Sequence, residues 1–161
     1  MPLHAGTASE NVRDIAVTLS VILWLHWWGV TSLKVYINAW FGRFARKQKI
    51  SADALFDAVE RAENGQIDAD LGGGVIKQRI ARQGESTSKG YRSIILFRGG
   101  DKSFFVYGFS KSELGNIRDD EEVLFKKMAK HILSLTDTQL SELIANGQFE
   151  EVSGNDQKIS Q

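Results

Sequence analysis

The sequence predicts an α+β domain in which a strand and two helices precede a three-stranded antiparallel meander, and further helices end the fold. Three observations predict this class. Apolar residues alternate in residues 33–41, they recur at helical spacing in residues 51–64, and three strand-like runs follow between Val75 and Phe109. Because short links make successive strands antiparallel, we expect a meander with the helices packed on one face of the sheet.

The first half of the chain is predicted to be β, α, α. Residues 33–41 alternate like a strand, and the basic residues 41–49, FGRFARKQK, are compatible with a helix. Ser51 is a favourable N-cap for a second helix that extends to about Asn64. Residues 68–74, DADLGGG, are predicted to be a turn-rich connector; they lack the lysine that a phosphate-binding loop requires.

The second half is predicted to be the meander and two helices. Its strands are expected at residues 75–82, 91–98 and 103–109, and Gly99–Asp101 make the turn between the last two. A helix is predicted from Asp119, with one apolar face made of Leu124, Met128, Ile132 and Leu135. Thr136 and Gln139 fit the capping box of a final, shorter helix.

The two ends of the chain are predicted to lie outside this domain. The apolar run at residues 16–30 is shorter than the roughly 20 residues that a membrane-spanning helix needs. It also lacks the basic start and small-residue cleavage site of a signal peptide, so we expect a cytoplasmic protein. A membrane-tethered form, in which residues 16–30 insert, remains an alternative. Residues 153–161 are predicted to be a polar tail.

Charge is distributed unevenly along a chain whose formal net charge is zero. Residues 33–118 contain 15 Lys and Arg against 9 Asp and Glu, whereas residues 119–161 contain 4 against 9. The basic middle favours an anionic partner. The absence of cysteine excludes disulfides and thiolate zinc sites, and the 3 histidines are too scattered to suggest a metal cluster, so no cofactor is predicted.

Basic side chains concentrate on the predicted meander, where residues 71–111 hold 8 Lys and Arg against 2 acidic residues. Because side chains alternate along a strand, three pairs are each expected to share a face: Lys77 with Arg79, Arg92 with Arg98, and Tyr107 with Lys111. Such groups can transfer protons and stabilise phosphorane charge in RNA cleavage without a metal ion. The competing interpretation is a solvated sheet face that is covered with long charged side chains.

Three segments carry a family resemblance. They are WFGRFARKQKIS, GQIDADLGGGVIKQRIAR and GYRSIILFRGGDKSFFVYGFSKSELGNI. In order and spacing they resemble the RelE-like toxins (RelE/HigB type) of bacterial type II toxin–antitoxin systems, and the resemblance spans Leu33 to Val152. It implies a RelE-like toxin domain at residues 33–152 and an endoribonuclease that cuts messenger RNA at the ribosome. It also implies inhibition by a cognate helix-turn-helix antitoxin. Since family members begin close to Leu33, residues 1–32 are expected to be upstream sequence.

The resemblance implies that Lys77, Arg79, Arg92 and Lys111 are site residues, and the other candidates come from this sequence itself. The predicted catalytic residues are Lys77, Arg79, Arg92 and Tyr107, and the predicted RNA-binding residues are Arg82, Arg98, Lys111 and Arg118. The sequence departs from the family where members place a further arginine and then a tyrosine, because Ser112 and roughly Arg118 stand there. The general base is therefore open: Tyr107 is either the missing hydroxyl or a packed core tyrosine, and Tyr91 is a weaker candidate. A degenerate toxin that binds RNA, the ribosome or its antitoxin without cutting is the alternative.

Overall fold

The structure is a computed structural model, and it describes residues 33–82, 84–85 and 89–154. The predictions for residues 1–32 and for most of the polar tail lie outside the described residues. In chain order the elements are β1 (Lys34–Asn38), α1 (Ala39–Gln48), α2 (Ala52–Glu63), β2 (Ala69–Gly72), β3 (Val75–Ile80), β4 (Tyr91–Phe97), β5 (Lys102–Ser110), α3 (Asp119–Ile132), α4 (Asp137–Ala145) and β6 (Phe149–Glu151).

The strands form one six-stranded sheet in the order β2-β3-β4-β5-β1-β6. The pairs β3–β4 and β4–β5 are antiparallel, so the predicted α+β class with its βαα start and meander is confirmed. Strand β1, the first in the sequence, lies beside β5 in the sheet and is parallel to it. The prediction of a turn-rich connector at residues 68–74 was wrong in part, because Ala69–Gly72 form strand β2 and pair with β3. Gly73 and Gly74 then turn the chain with positive φ.

Helices cover both faces of the sheet, so the prediction of helices on one face was wrong. Helices α1 and α2 pack on an apolar cluster that includes Ile76, Ile95 and Phe105. Helices α3 and α4 pack on a second cluster, on the opposite face, that includes Ile94, Leu96 and Phe104. The consecutive apolar residues of β4 and β5 explain this arrangement, because a strand that is buried on both faces does not alternate with polar residues.

Local capping sets where the first helices begin. The side chain of Asn38 accepts a hydrogen bond from the backbone N–H of Phe41, which ends β1 earlier than predicted and starts α1 at Ala39. The hydroxyl of Ser51 caps α2 as predicted, through the N–H of Ala54. Thr136 and Gln139 form the predicted capping box of α4.

The apolar face predicted for α3 was correct at Ile132 and Leu135 and wrong at Leu124 and Met128. Leu124 is 61% exposed and Met128 is 37% exposed, whereas Ala129 and Ile132 are buried. Phe125 also packs on the second cluster, so the buried stripe follows an i, i+4, i+7 pattern from Phe125. The helix therefore presents an apolar residue on its solvent side at Leu124.

Candidate functional site

Two rows of side chains cross strands β3, β4 and β5 on the face that carries the second cluster. In the first row, Lys77 lies opposite Ile94, which lies opposite Tyr107. In the second row, Arg79 lies opposite Arg92, which lies opposite Phe109. Side chains directly opposite each other in an antiparallel pair share a face. The two rows therefore bring together all four residues that were predicted to be catalytic. We call these four residues, Lys77, Arg79, Arg92 and Tyr107, the basic face.

A β-bulge places Tyr107 on the basic face. The register of β4 with β5 shifts between Ile94 and Ile95, since Ile95 pairs with Phe105 whereas Ile94 pairs with Tyr107. Without that extra residue Tyr107 would lie opposite Ser93 and would point to the other side of the sheet. Tyr107 is half-buried, and its hydroxyl has no hydrogen-bond partner among the described residues.

Close backbone packing fixes the start of β4 and with it Arg92. A Cβ atom at Gly90 would lie 1.8 Å from the carbonyl oxygen of Ile80, so no other residue fits there without a shift of the main chain. This contact brings the first residues of β4 against the end of β3, where Tyr91 pairs with Ile80 and Arg92 with Arg79. The glycine of the GYR motif thus positions the two arginines.

The cations of the basic face lack carboxylate partners. Among the described ion pairs none involves Lys77, Arg79 or Arg92, although all three side chains are half-buried. The ammonium of Lys77 donates to Oδ1 of Asn116 at 3.1 Å. The Nη1 atom of Arg92 is buried without a partner in the described part of the chain. Two facing guanidinium groups and an ammonium without counter-charges are a suitable arrangement for binding an anion.

The predicted RNA-binding residues do not all lie beside the basic face. Lys111 is exposed directly after β5, at the same end as Arg92. The guanidinium of Arg82 lies 4.6 Å from the ring centroid of Tyr91. Arg98 lies at the far end of β4, about 20 Å from Arg92 at a strand rise of about 3.3 Å per residue. There its Nη1 donates to the carbonyl oxygen of Leu133.

Arg118 and Tyr91 are held by contacts with other residues of the fold. Arg118 forms ion pairs with Asp120 and Glu121 at the start of α3. The hydroxyl of Tyr91 donates to Oε1 of Gln48 at 2.8 Å, and its ring meets that of Phe44 edge-on. The structure thus brings Lys77, Arg79, Arg92, Tyr107 and Lys111 to one end of the meander and leaves Arg98 outside it.

The geometry of the basic face agrees with the comparison with protein families. The sequence model described as the RelE toxin of the RelE / RelB toxin-antitoxin system matches residues 33–152. This chain belongs to the RelE toxin family. The resemblance seen in the sequence is therefore confirmed, and the protein is a toxin of a toxin–antitoxin system. The searches of curated proteins and of solved structures found no match.

As a member of the RelE family, the protein has an antitoxin partner, and its relatives in general are ribonucleases that act on RNA and the ribosome. Two structural findings accompany this assignment. Residues 33–82, 84–85 and 89–154 contain no group of three or more acidic or histidine side chains that is arranged to hold a metal ion. None of the helices described combines the length and apolarity that a membrane crossing requires.

The residues that sequence reasoning missed in this RelE toxin lie beside Tyr107. Strand β1 ends at Asn38, whose side-chain amide donates to the carbonyl oxygen of Val106, and α1 begins there. The edge of β5 beyond Val106 is thus open to Trp40, whose ring stacks on that of Tyr107 at 4.6 Å. The available signal was the helical spacing of Trp40 and Phe44 within the basic stretch.

The groups with a shifted pKa lie at the end of the sheet away from the basic face. The Asp137 carboxylate, 3.0 Å from Nζ of Lys102, raises the pKa of Lys102 through their hydrogen bond. Burial raises the pKa of Tyr36, and the charge of Glu151 raises it further. Both effects act on stability at high pH and do not involve the candidate site.

Proposed function

We propose that this RelE toxin is a metal-independent endoribonuclease that cuts messenger RNA on the ribosome in the cytoplasm. The observation that carries the proposal is the basic face, where Lys77, Arg79 and Arg92 share one side of the sheet without carboxylate partners. A phosphate group is the anion that such a site fits in an RNA-directed protein. We further propose that residues 33–152 are the toxin domain and that residues 1–32 are not needed for toxicity.

The proposed reaction is an attack of a 2′-hydroxyl oxygen on the adjacent phosphorus. The new O2′–P bond forms, the P–O5′ bond breaks, and the products are a 2′,3′-cyclic phosphate and a free 5′-hydroxyl. Arg79 and Arg92 hold the non-bridging oxygens and stabilise the charge that develops on them. Lys77 adds a third positive charge, and the unpartnered hydroxyl of Tyr107 donates the proton that the 5′-oxygen needs. Water accepts the proton of the 2′-hydroxyl.

The partners follow from the same surface. A substrate backbone that leaves the basic face meets Lys111, which is exposed after β5. We propose that Arg82 also contacts RNA. Arg98 and Arg118 are proposed to support the fold, Arg98 through its hydrogen bond to the Leu133 carbonyl and Arg118 through its ion pairs with Asp120 and Glu121. The inhibitor is proposed to be a cognate helix-turn-helix antitoxin that covers or distorts the basic face.

A non-catalytic toxin is the second candidate, and one observation favours it. Ser112 and Arg118 stand where the resemblance places an arginine and a tyrosine, and Arg118 is engaged by Asp120 and Glu121. Without that tyrosine the chain would bind RNA, the ribosome or its antitoxin with an affinity that depends on salt, and it would leave RNA intact.

Induction of the full chain in a bacterial host tests the proposal, with growth and the 5′ ends of cellular RNA followed in time. We expect growth arrest, new 5′-hydroxyl ends in messenger RNA, and rescue by co-expression of the antitoxin. Arrest without new ends would favour the non-catalytic toxin. Growth without arrest and without new ends, from a folded protein, would contradict the proposed cleavage and would also favour the non-catalytic candidate. A parallel induction of residues 33–161 tests whether residues 1–32 contribute.

A further inference from the structure

A groove beside the basic face has properties that the proposed cleavage reaction does not use. It has a volume of about 480 Å³ and lies between α1 and the end of β5. Helix α1 contributes one side of it and the end of β5 contributes the other, and its principal lining residues are Trp40, Arg43, Phe44, Lys47, Tyr107 and Phe109. The groove therefore combines aromatic rings with positive charge.

The aromatic part of the groove is built around Trp40. Its ring stacks on Tyr107 at 4.6 Å and on Phe44 at 5.5 Å between centroids. Even so, Trp40 remains 39% exposed. A large aromatic side chain that is fixed by two stacking neighbours and still open to solvent is a rigid surface on which a planar group can stack.

The charged part of the groove lies on α1. Arg43 and Lys47 are exposed and spaced i, i+4, so they lie on one side of the helix. Neither takes part in an ion pair with any residue that the structure describes. Residues 33–49 contain 5 Lys and Arg and no Asp or Glu, and Glu113 is the acidic residue that lines the groove. The balance of charge favours a polyanion as the occupant.

Tyr107 belongs both to the groove and to the basic face. It lies two strands from Lys77 in the same row, at about 10 Å for a strand spacing of about 4.8 Å. A polynucleotide whose scissile phosphate lies at Arg79 and Arg92 would thus reach the groove within a short length of backbone. An aromatic ring next to cations binds successive bases and phosphates in proteins that recognise single strands.

We propose that this groove is a nucleobase subsite for single-stranded RNA, in which an unpaired base stacks on Trp40 and the flanking phosphates contact Arg43 and Lys47. The inference rests on the proposed function, because it extends the same substrate past the cleavage position. It commits to RNA and not to an acidic peptide, because a flat exposed indole beside two free cations suits a base and its phosphates. Stacking is tolerant of sequence, so the subsite adds affinity for unpaired RNA of any sequence.

Binding of an RNA that cannot be cut tests this inference separately from cleavage. The probe is a short single-stranded oligonucleotide with every 2′-hydroxyl methylated and one 2-aminopurine base, titrated with the full chain at several salt concentrations. With the wild type we expect quenching of the 2-aminopurine fluorescence. Trp40→Ala should remove the quench and weaken binding about 5- to 150-fold, whereas Trp40→Phe should retain most of both.

The charged residues have their own readout and matched controls. The double variant Arg43→Gln/Lys47→Gln should keep the quench but make the salt dependence shallower, by about 1.4 in the slope of log K against log salt concentration. The same double change at Arg46 and Lys49, which are exposed outside the groove, should leave the slope near that of the wild type. Leu124→Ala on α3 is the control for loss of an exposed apolar side chain. Urea unfolding checks that each variant is folded.

The outcomes separate the two proposals. Unchanged quench and affinity in folded Trp40→Ala would overturn the subsite, and so would a wild type that does not bind the oligonucleotide. If Trp40→Ala loses antitoxin binding but keeps RNA binding, the groove belongs to a protein partner and the inference is wrong. Quenching by a wild type that leaves messenger RNA on the ribosome intact would contradict the proposed cleavage while supporting the subsite.

Discussion

Replacing Arg92 with methionine is expected to stabilise the fold while it ends RNA cleavage. The Nη1 atom of Arg92 is buried without a partner among the described residues, and a buried unsatisfied donor costs about 1–3 kcal/mol. Arg92 also lies directly opposite Arg79, and facing like charges in a sheet cost roughly 0.2–1 kcal/mol. Methionine keeps an unbranched apolar stem of similar length, so few contacts are lost. We expect a net gain of about 1–2 kcal/mol.

Thermal and urea unfolding of the full chain measure this gain, which should appear as a rise in Tm of roughly 3–10 °C for a domain of this size. Growth arrest and new RNA ends are followed in parallel. Arg98→Met is the matched control: it removes the hydrogen bond to the Leu133 carbonyl, so it should lower stability by about 0.5–1.5 kcal/mol and leave cleavage intact. If Arg92→Met is less stable than the wild type, or is more stable and fully active, the assignment of Arg92 to an anion site is refuted.

Three further changes test the fold around the site. Gly90→Ala should destabilise the protein by about 1–3 kcal/mol or more in urea unfolding, because its Cβ would lie 1.8 Å from the Ile80 carbonyl oxygen; an unchanged midpoint would contradict this packing. Ile132→Ala should cost about 2–5 kcal/mol in the same assay, while exposed Leu124→Ala should stay within about 0.5 kcal/mol; a loss at Leu124 as large as that at Ile132 would restore the originally predicted face of α3, which contained both residues. The raised pKa of Lys102 contributes stability that is present below its unfolded pKa of about 10.4 and lost as pH rises through the folded pKa. Asp137→Asn should therefore reduce stability at pH 7 but have a smaller effect once the pH exceeds the folded pKa of Lys102, as measured by unfolding at each pH; an effect independent of pH would exclude the ion pair as its cause.

The parts of the fold that were predicted from the sequence are those with local signals. Ser51 caps α2 because its hydroxyl satisfies a backbone donor three residues ahead, which is a relation readable from spacing alone. The shared face of Lys77 and Arg79 likewise follows from alternation within β3. In α3, however, stripes one residue apart both satisfy a helical period. Only packing against the sheet selects Phe125 over Leu124.

The parts that were missed depend on pairing between distant segments. The side of the sheet to which Tyr107 points is reversed by a one-residue shift between β4 and β5, and the sequence carries no visible sign of that bulge. Arg98 is an even number of residues from Arg92, so alternation places both side chains on the same face of the sheet. Arg98 nevertheless lies at the opposite end of the strand, away from the basic face. Trp40 reaches Tyr107 only because β1 ends before β5 does.

The distribution of carboxylates supports a binding role for the basic face on physical grounds. Elsewhere in the described chain, the half-buried cations Arg61 and Lys102 have acidic partners, since Arg61 contacts Asp57 and Asp68 and Lys102 contacts Asp137. Arg82, which lies over the ring of Tyr91, is half-buried without one. A partly buried guanidinium without such a partner loses hydration that nothing in the protein replaces. Arg79 and Arg92 carry this cost on adjacent strands, where each also repels the other. Because an RNA phosphate would remove both penalties at once, the unfavourable electrostatics of the free protein would become a source of affinity for the proposed RNA substrate.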